Sequence, residues 1–545
     1  LIFLHLINLV NHYCVYLKMI NYKNILLTII FSIYFLTGLY LSVTTGISHD
    51  QYHEQLNWQI NFQAIKGLFE NNGNYKILTE YLDRYHGIAF HYISQPIQFL
   101  IFESVAKFNK ITLEGAYLIS RHVPVYLIFC LSGYFFYLLS YKISKNKNFS
   151  LICISLFYLY PYLFGHALIN GKDIPFMSIW IISTYFLFLL IEKFYYDNEI
   201  KIKEIFIISF LTAFLISIRI TGILILLEYL IAIIILTNVK KTNLLWFLNV
   251  NKINFLYFII FSLFFIYILN PVFWLNPMEF FNSISWMGKY YHDICTLTLG
   301  SCMDALNLPS SYIFIWLFFK LPLIILLGLI FFPLIENKIF NDGLKTIFYG
   351  ILSFTVITLL FIFIVKNVAL YDEIRHLIFL IPFIFLIGLY NIFILNKKLL
   401  YFFSIIVIFF FIFENISLKK YQYTWINSLA KFTNIQKNFE VDYWGISGKE
   451  LSKKIVSHSE KIDFDKQNCI YGGQYTNVYL EKFNYNCFKS YSALDAAKKR
   501  PYYVLQNVRN IKRSNPKDCK LIYSEGYTYT FMKNKIKTGI LWYCD

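Results

Sequence analysis

The sequence predicts a polytopic membrane protein: an all-α bundle of about 11 (11–13) transmembrane helices, an outer loop with an interfacial helix, and a C-terminal extracytoplasmic α/β or α+β domain. Hydrophobic residues make up 57% of the 545 residues, whereas soluble domains average about 45–50% apolar. The mean hydropathy is +0.52. Many apolar runs also approach or exceed the ~20 residues that are needed to cross a bilayer.

Eleven apolar runs account for the predicted spans. A further run, 93–108, is short and contains Glu103, which predicts an interfacial or re-entrant segment. Residues 1–23 are predicted to be a cytoplasmic N-terminus, with 1–18 an extended start because the first methionine is Met19. The spans are placed near 24–44, 115–140, 148–168, 174–194, 203–218, 221–237, 253–271, 312–334, 344–366, 376–396 and 399–414.

The distribution of lysine predicts the orientation. The net charge is +17, but the lysines are concentrated in short loops between apolar runs, so membrane topology explains them and nucleic-acid binding is not expected. Eleven spans place these lysine-rich loops on one side, which the positive-inside rule assigns to the cytoplasm. The tail from residue 415 and the acidic clusters described below then lie outside. The lysines are Lys18, Lys23, Lys142, Lys145, Lys147, Lys193, Lys201, Lys203, Lys240, Lys241, Lys252, Lys397 and Lys398.

The tail, 415–545, has shorter apolar runs, more charge and strand-like pieces such as 502–505 and 521–523. Its length suits one small domain. Six cysteines fall on the predicted outer side, and an even number is typical of disulfides in an oxidising compartment. A zinc site is the alternative, but the sequence has no CxxC motif, so disulfides are favoured. Cys295 and Cys302 are expected to pair locally. The four tail cysteines, Cys469, Cys487, Cys519 and Cys544, allow three connectivities, and the sequence does not choose among them.

The first polar cluster follows the first apolar run at residues 46–54. Asp50 and Glu54 are four residues apart, which places them on one face of a helix. A carboxylate at the membrane face can act as a general base toward a hydroxyl, although an acid here can also stabilise the following helix through its N-terminus. His49 and His53 are candidate supporting residues, either as hydrogen-bonding groups or as metal ligands.

The second cluster contains His166, Lys172 and Asp173 at the outer end of a helix pair. Lys172 supplies a point charge for a phosphate, and Asp173 either holds this lysine or joins Asp50 as a second catalytic acid. A helix cap with a snorkelling lysine is the structural alternative. Arg219 lies at a similar outer turn between two helices, where it either faces a cavity or snorkels.

The third cluster, Tyr371 to His376, directly precedes a predicted helix. Arg375 could bind a phosphodiester through two hydrogen bonds, with Tyr371 and His376 as supporting residues. The stretch 83–86 (Asp-Arg-Tyr-His) is interpreted as an exposed ion pair.

Together these motifs resemble the GT-C glycosyltransferase superfamily, in particular its family 39 branch, which includes protein O-mannosyltransferases and the aminoarabinose transferase of lipid A. The resemblance covers about residues 24–450. It rests on His49-Asp50-Gln51-Tyr52-His53-Glu54, Gly171-Lys172-Asp173-Ile174-Pro175, Arg219-Ile220-Thr221-Gly222, Asn307-Leu308-Pro309, Arg375-His376 before Pro382, and Tyr421-Gln422-Tyr423 followed by Val441-Asp442-Tyr443-Trp444-Gly445.

The resemblance implies a transferase in a bacterial cell membrane that moves a sugar, with inversion, from a polyprenyl-phosphate-linked donor to a hydroxyl of a lipid, glycan or protein on the outer face. Residues 24–414 would be the catalytic domain. Asp50 would be the base and Asp173 a second acid, while Lys172, Arg375 and Arg219 would bind the donor phosphate. Asp50 is followed by Gln51 rather than the second acid of the protein mannosyltransferases, which argues against a protein acceptor.

The expected partners are this donor and membrane lipids, and the acceptor stays unknown. No cofactor is certain, and a divalent metal is left open. The alternative functions are a transporter or flippase of a lipid-linked saccharide, an envelope glycan ligase or polymerase, and a non-catalytic scaffold. Transporters tend to hold ionisable groups at mid-membrane on broken, repeated helices, whereas the acids here lie at one face and no repeat is seen.

Overall fold

The fold is described by a computed structural model for residues 22–70, 73–287, 294–339, 343–473, 475–496, 500–507, 515–532 and 534–545. The predicted extended start, Met19 and most of the predicted cytoplasmic N-terminus lie outside these residues. The described part is mostly helical, with a small sheet-containing tail, and this confirms the predicted fold class.

Every predicted span corresponds to a helix or a helix pair. Among the described residues, eight helices are long and apolar enough to cross a membrane, or up to ten if each bent pair is one span. The remaining predicted span, 203–218, is a shorter helix of 17 residues. The short run 93–108 lies within a 21-residue helix that is not among these candidates.

The helices of this region are α1 (Tyr22–Thr44), α2 (Asp50–Phe69), α3 (Lys76–Glu80), α4 (Ala89–Asn109), α5 (Leu113–Ser120), α6 (His122–Ser144), α7 (Lys147–Leu159), α8 (Pro161–Ala167), α9 (Asp173–Tyr195), α10 (Ile202–Ile218), α11 (Ile225–Lys240), α12 (Leu244–Val250), α13 (Lys252–Leu269), α14 (Glu279–Met287), α15 (Ser311–Lys320), α16 (Leu323–Ile330), α17 (Glu336–Ile339), α18 (Gly343–Val365), α19 (Ile381–Leu395) and α20 (Lys397–Leu418).

Two predicted spans are bent. The α7–α8 pair bends by 60° before Pro161, and the α15–α16 pair bends by 120° at Pro322. Proline lacks the N–H that continues a helix and restricts the residue before it, so a helix tends to end there. The hydropathy pattern alone predicts one continuous span for each of the runs 148–168 and 312–334. In the structure each run is a pair of helices joined at a bend.

The bundle is organised around two buried helices. Within an 18-residue apolar window of each span, 94% of the residues are buried in the span that ends with α19 and 78% in α9, but only 11% in α13. The helices at the periphery of the bundle expose large apolar side chains, such as Ile259 and Phe264 of α13. Such a surface is suited to lipid contact, since lipid cannot satisfy polar groups.

The crossing of α16 and α19 depends on two glycines. A Cβ on Gly328 would lie 2.0 Å from the Gly388 oxygen, and a Cβ on Gly388 would lie 2.9 Å from the Ile325 oxygen. Small residues allow this close approach of two backbones. The Asn391 side chain reinforces the crossing because its amide donates to the Gly328 oxygen at 3.0 Å.

The charged loops are divided between two ends of the bundle. Helix α9 starts at Asp173 and ends at Tyr195 after 23 residues, a rise of about 34 Å that matches the ~30 Å hydrocarbon core of a bilayer. At its far end, Lys193 pairs with Glu204 at 2.8 Å and Lys240 with Asp197 at 2.6 Å. The lysine-rich loops and the acidic clusters thus lie at opposite ends, and which end is cytoplasmic stays a prediction.

The tail contains a five-stranded mixed sheet, in which the strands lie in the order β4 (Phe488–Lys489), β3 (Ile470–Gly472), β5 (Tyr502–Asn507), β7 (Ile536–Cys544) and β6 (Lys520–Tyr527). The predicted strand pieces 502–505 and 521–523 lie in β5 and β6. Strand β3 is parallel to β4 and β5, while β7 is antiparallel to β5 and β6. A separate hairpin, β1–β2, precedes α15. The elements are β1 (Cys295–Thr298), β2 (Ser301–Asp304), α21 (Ile435–Asn438), α22 (Gly448–Ser459), β3 (Ile470–Gly472), α23 (Asn477–Leu480), β4 (Phe488–Lys489), β5 (Tyr502–Asn507), β6 (Lys520–Tyr527) and β7 (Ile536–Cys544).

Disulfides secure the hairpin and the sheet. Cys295 pairs with Cys302 as predicted. Of the three connectivities that the tail cysteines allow, the structure has Cys469 with Cys487 and Cys519 with Cys544. These two bonds join strands or strand ends that the sheet already brings together.

The tail packs directly on the loop between α1 and α2. The His49 N–H donates to the Trp444 oxygen at 3.1 Å, the Tyr475 hydroxyl donates to the His49 oxygen at 3.0 Å, and the Ile47 N–H donates to the Tyr479 hydroxyl at 2.8 Å. Hydrogen bonds from three points of the tail therefore hold the backbone just before Asp50.

We predict that Gly328→Ala lowers the thermal midpoint of unfolding in detergent by several degrees, because the added methyl group overpacks the α16–α19 crossing at a cost of about 1–3 kcal/mol. Gly350→Ala in α18 is the control. A Cβ there meets only the end of the Ile235 side chain at 3.2 Å, and alanine is the better helix former. Equal midpoints for the two variants would contradict the prediction.

Candidate active site

A cavity of about 980 Å³ lies between the start of α2, the turn before α19, and the tail. Asp50, Tyr371 and Arg375 line it, as do His49 and His53. The structure thus brings the first and third predicted clusters, which are more than 300 residues apart, to one site.

Arg375 lies at the centre of the charged wall. Its Nη1 is 2.7 Å from Asp50 Oδ2 and its Nη2 is 3.3 Å from Asp372 Oδ2. The guanidinium also lies over the rings of Tyr371 and Trp444, with distances of 5.0 and 4.7 Å from Cζ to the ring centroids. Two carboxylates and two aromatic faces therefore hold this cation in a fixed orientation. Asp372 was not among the site residues predicted from the sequence.

Asp50 differs from the other acids of the site in its exposure. Its side chain is 48% exposed, compared with 13% for Glu54, 6% for Asp372 and 3% for Asp173. Partial burial raises the pKa of Asp50, but the Arg375 guanidinium lowers it, and the net pKa is below its usual value. Asp50 is therefore an ionised carboxylate that a molecule in the cavity can reach.

The turn that carries Arg375 has an unusual backbone. Asp372 and Glu373 are consecutive non-glycine residues with positive φ angles of 56° and 67°, a conformation that persists only where the surroundings enforce it. The Asp372 N–H donates to Thr296 Oγ1 at 2.9 Å, and the Tyr312 hydroxyl donates to the Glu373 oxygen at 3.0 Å. The Glu373 carboxylate pairs with Lys320 at 2.7 Å, and both side chains are fully buried.

The second cluster adjoins this wall without lining the cavity. Lys172 Nζ is 3.0 Å from Glu54 Oε1 and 2.8 Å from His86 Nδ1, and Glu54 Oε2 is 3.4 Å from His91 Nε2. Burial raises the pKa of Glu54, but Lys172 and then His91 lower it, and the net pKa is well below its usual value. The interpretation of 83–86 as an exposed ion pair is wrong for His86, which is largely buried against Lys172.

Arg121 is a further buried cation that the sequence analysis missed. It donates to Gln55 Oε1 at 2.7 Å and contacts His91 Nδ1 at 3.2 Å, and it is 2% exposed. The available signal was an arginine within the apolar run 115–140, because charges inside membrane segments usually face a cavity or a partner.

Asp173 and Arg219 form the third ion pair, at 2.7 Å. Asn170 donates to Asp173 Oδ2 at 2.9 Å and contacts His166 Nδ1 at 3.0 Å. The other ring nitrogen of His166 is 3.0 Å from the Tyr443 hydroxyl. Asp173 is thus linked through two side chains, Asn170 and His166, to Tyr443, a tail residue that lines the cavity.

The remaining predicted residues lie at the edge of this network. His376 packs edge-on against Tyr371 with ring centroids 4.6 Å apart, and Cys295 of the disulfide lines the cavity. In the part of the chain that the structure describes, no three His, Cys, Asp or Glu side chains are grouped so as to hold a metal ion. Metal dependence stays an open prediction.

Each predicted phosphate-binding cation is thus paired with a predicted acid: Arg375 with Asp50, Lys172 with Glu54, and Arg219 with Asp173. A buried charge is tolerated when it is paired and hydrogen-bonded. A bound anion could replace one of these carboxylates as the partner of its cation. Because Asp50 is the exposed acid, the Arg375–Asp50 pair is the one best placed for such an exchange.

Two solved structures of ArnT from Cupriavidus metallidurans are similar to this chain, one in the apo state and one bound to undecaprenyl phosphate. The apo structure has 9% identity and a TM-score of 0.44, with 96% of this chain and 98% of that chain covered. The undecaprenyl phosphate complex has 9% identity and a TM-score of 0.44, with 94% and 97% covered. No family model and no curated protein sequence matches the chain. The roles of the residues are therefore argued below from the site alone.

We predict that Lys320→Met lowers stability by about 3–5 kcal/mol, because it leaves the buried Glu373 carboxylate without its cation. The double variant Lys320→Met/Glu373→Gln is expected to recover part of this loss. Thermal unfolding of the single and double variants measures the coupling. Strictly additive losses would show that the pair does not hold the turn.

We predict that Glu54→Gln reduces the acid sensitivity of folding. The pKa of Glu54 is lower in the folded protein than in the unfolded chain, so as the pH falls the unfolded chain takes up this proton at a higher pH than the folded protein does. The ionised Glu54 therefore stabilises the fold fully above the usual pKa of 4.5, and this stabilisation is lost as the pH falls through the pKa of the folded protein. The variant should unfold more easily at neutral pH, by roughly 1–3 kcal/mol, and lose less stability than wild type between about pH 5 and pH 3.

Thermal midpoints measured across this pH range test the prediction. The control is Glu80→Gln, which removes an exposed carboxylate paired with Lys76 and should leave the pH profile unchanged. Parallel profiles for wild type and Glu54→Gln would count against the assigned pairing.

Proposed function

We propose that this protein is an inverting membrane glycosyltransferase that moves a sugar from a polyprenyl-phosphate-linked donor to a hydroxyl of an acceptor on the extracytoplasmic face. The observation that carries the proposal is the pairing of the exposed Asp50 carboxylate with the buried Arg375 guanidinium in one cavity. Such a site offers a base for a hydroxyl and a cation for a phosphate.

The location of the charges supports a lipid-linked donor. Asp50, Asp173 and Arg375 each lie at the start of a helix or span at the same end of the bundle. The phosphate of a polyprenyl donor lies at the membrane face, so its sugar would enter the cavity while its lipid tail stays between or beside the helices. Four cations, Arg121, Lys172, Arg219 and Arg375, lie near this end.

In the proposed reaction, the acceptor oxygen attacks the anomeric carbon and its proton passes to Asp50. The bond between the anomeric carbon and the phosphate oxygen breaks, and the polyprenyl phosphate leaves with both bonding electrons. One displacement on the face opposite the leaving group inverts the anomeric centre. Arg375 neutralises the charge that develops on the phosphate, supported by Lys172 and Arg219.

Donor binding would also activate the base. A phosphate that takes hydrogen bonds from Arg375 competes with Asp50 for the same guanidinium. Loss of that cation raises the pKa of Asp50, so the carboxylate becomes a stronger base when the donor is in place. Asp173, buried against Arg219, would orient this arginine rather than accept a proton from the acceptor.

We predict that Asp50→Asn abolishes release of the lipid phosphate, with a loss of at least about 100-fold because general-base catalysis contributes ~10²–10⁴-fold. The protein is reconstituted in lipid with a panel of radiolabelled polyprenyl-phosphate sugars, and release is followed for each. Asp465→Asn, at an exposed position of the tail, is the control and should match wild type.

A donor that the wild type cleaves and Asp50→Asn does not would identify both the reaction and the sugar. Absence of release from every donor, together with movement of a lipid-linked glycan that survives Asp50→Asn, would overturn the transferase and support a transporter.

A further inference from the structure

A second part of the cavity lining is built by the carboxyl ends of three parallel strands. Strand β3 is hydrogen-bonded in parallel to β4 on one side and to β5 on the other. Gly472 and Gly473 at the end of β3, Lys489 and Ser490 at the end of β4, and Asn507 at the end of β5 all line the cavity.

The connections that leave these strands run toward opposite sides of the sheet. From β3 it moves through α23 to β4 on one side, and from β4 it crosses to β5 on the other side of β3. Ligands of open α/β sheets bind in the crevice outside the carboxyl ends of the strands where the connections diverge. The tail therefore presents a binding edge, and that edge faces the cavity that contains Asp50.

The backbone itself forms part of this edge. Gly472 and Gly473 have positive φ angles of 75° and 69°, and a Cβ on Gly472 would lie 2.3 Å from the Leu505 oxygen. A Cβ on Gly473 would likewise lie 3.1 Å from the Leu505 Cβ, so the two consecutive glycines let this strand end pack closely against β5 with positive φ angles.

The chemistry of this edge is polar but almost uncharged. The neutral groups Thr476, Asn477, Ser490 and Asn507 line it together with the ring of Tyr491, and Lys489 is the one charged side chain that the described tail contributes to the lining. Neutral hydrogen-bonding groups beside an aromatic ring suit a polyhydroxylated ligand. A phosphorylated or acidic acceptor would need more cations.

We propose that this strand edge binds a neutral saccharide and that this saccharide is the acceptor of the reaction. The second part rests on the proposed transferase function. Asp50 and the strand edge line the same cavity, so a saccharide held at the edge could present a hydroxyl to the carboxylate.

The test measures saccharide binding by the full-length protein in lipid nanodiscs. The probes are neutral hexose and N-acetylhexosamine oligosaccharides and the phosphorylated and uronic acid counterparts. Ser490→Trp places a bulky ring at the exposed end of β4, and Ser457→Trp makes the same change at an exposed position of α22 that does not line the cavity. Affinities are compared at low and high salt, because screening weakens the binding of charged ligands.

The expected result is binding of neutral oligosaccharides by wild type, a loss of at least about tenfold in Ser490→Trp, no loss in Ser457→Trp, and little dependence on salt. Absence of neutral saccharide binding, preference for the acidic probes, or equal binding by Ser490→Trp would each overturn the proposal.

Release of lipid phosphate by the wild type is measured in parallel and separates the two proposals. Release without neutral saccharide binding would leave the transferase standing and overturn the acceptor edge. Neutral saccharide binding without release from any donor would retain the ligand of the strand edge, and the transferase would be overturned if movement of a lipid-linked glycan also survives Asp50→Asn.

Discussion

The Arg375–Asp50 ion pair is the interaction on which the site depends. It joins a buried turn before the central helix of the bundle to the exposed start of α2, and Trp444 of the tail covers the same guanidinium. Three parts of the chain that are far apart in sequence therefore share one cation. Because a buried arginine without partners is costly, folding of the loop, the bundle and the tail is coupled at this point.

A second, fully buried pair explains how Arg375 is held. Lys320 lies at the bend between α15 and α16 and meets Glu373, whose backbone is in the left-handed region. A buried ion pair gives little net stability compared with apolar packing, but it enforces one geometry. Because the chain bends at Pro322, α15 ends at Lys320, and this lysine contacts Glu373 in the turn that carries Arg375.

The tail contributes directly to the lining of the site. Its hydrogen bonds to residues 47–49 hold the backbone before Asp50, and its strand ends form an almost uncharged wall of the cavity. The charged wall comes from the bundle end, and the sheet contributes a wall whose one charged side chain among the described residues is Lys489. In the proposed reaction, Asp50 and Arg375 would act from the charged wall, and the wall of the sheet would be left for a second ligand.

Much of this arrangement was accessible from the sequence. Apolar runs located every predicted span, because a span must satisfy its backbone internally and face lipid, and the charged motifs between them identified Asp50, Lys172 and Arg375. The local pairing of Cys295 with Cys302 followed from their spacing. The bends were harder to predict, because hydropathy shows that a run is apolar but not whether its helix is continuous. Pro161 and Pro322 mark the positions of the two bends.

The sequence by itself determined the class of fold, the helices and the residues that could carry charge at one membrane end. Only the tertiary structure decided which acid meets which cation, that Asp50 alone among the acids of the site is about half exposed, and that Asp372, Arg121 and the Lys320–Glu373 pair belong to the same network. It also decided the disulfides of the tail and the strand edge at the cavity. Pairing and exposure depend on contacts between residues hundreds of positions apart, which periodicity and local motifs do not encode.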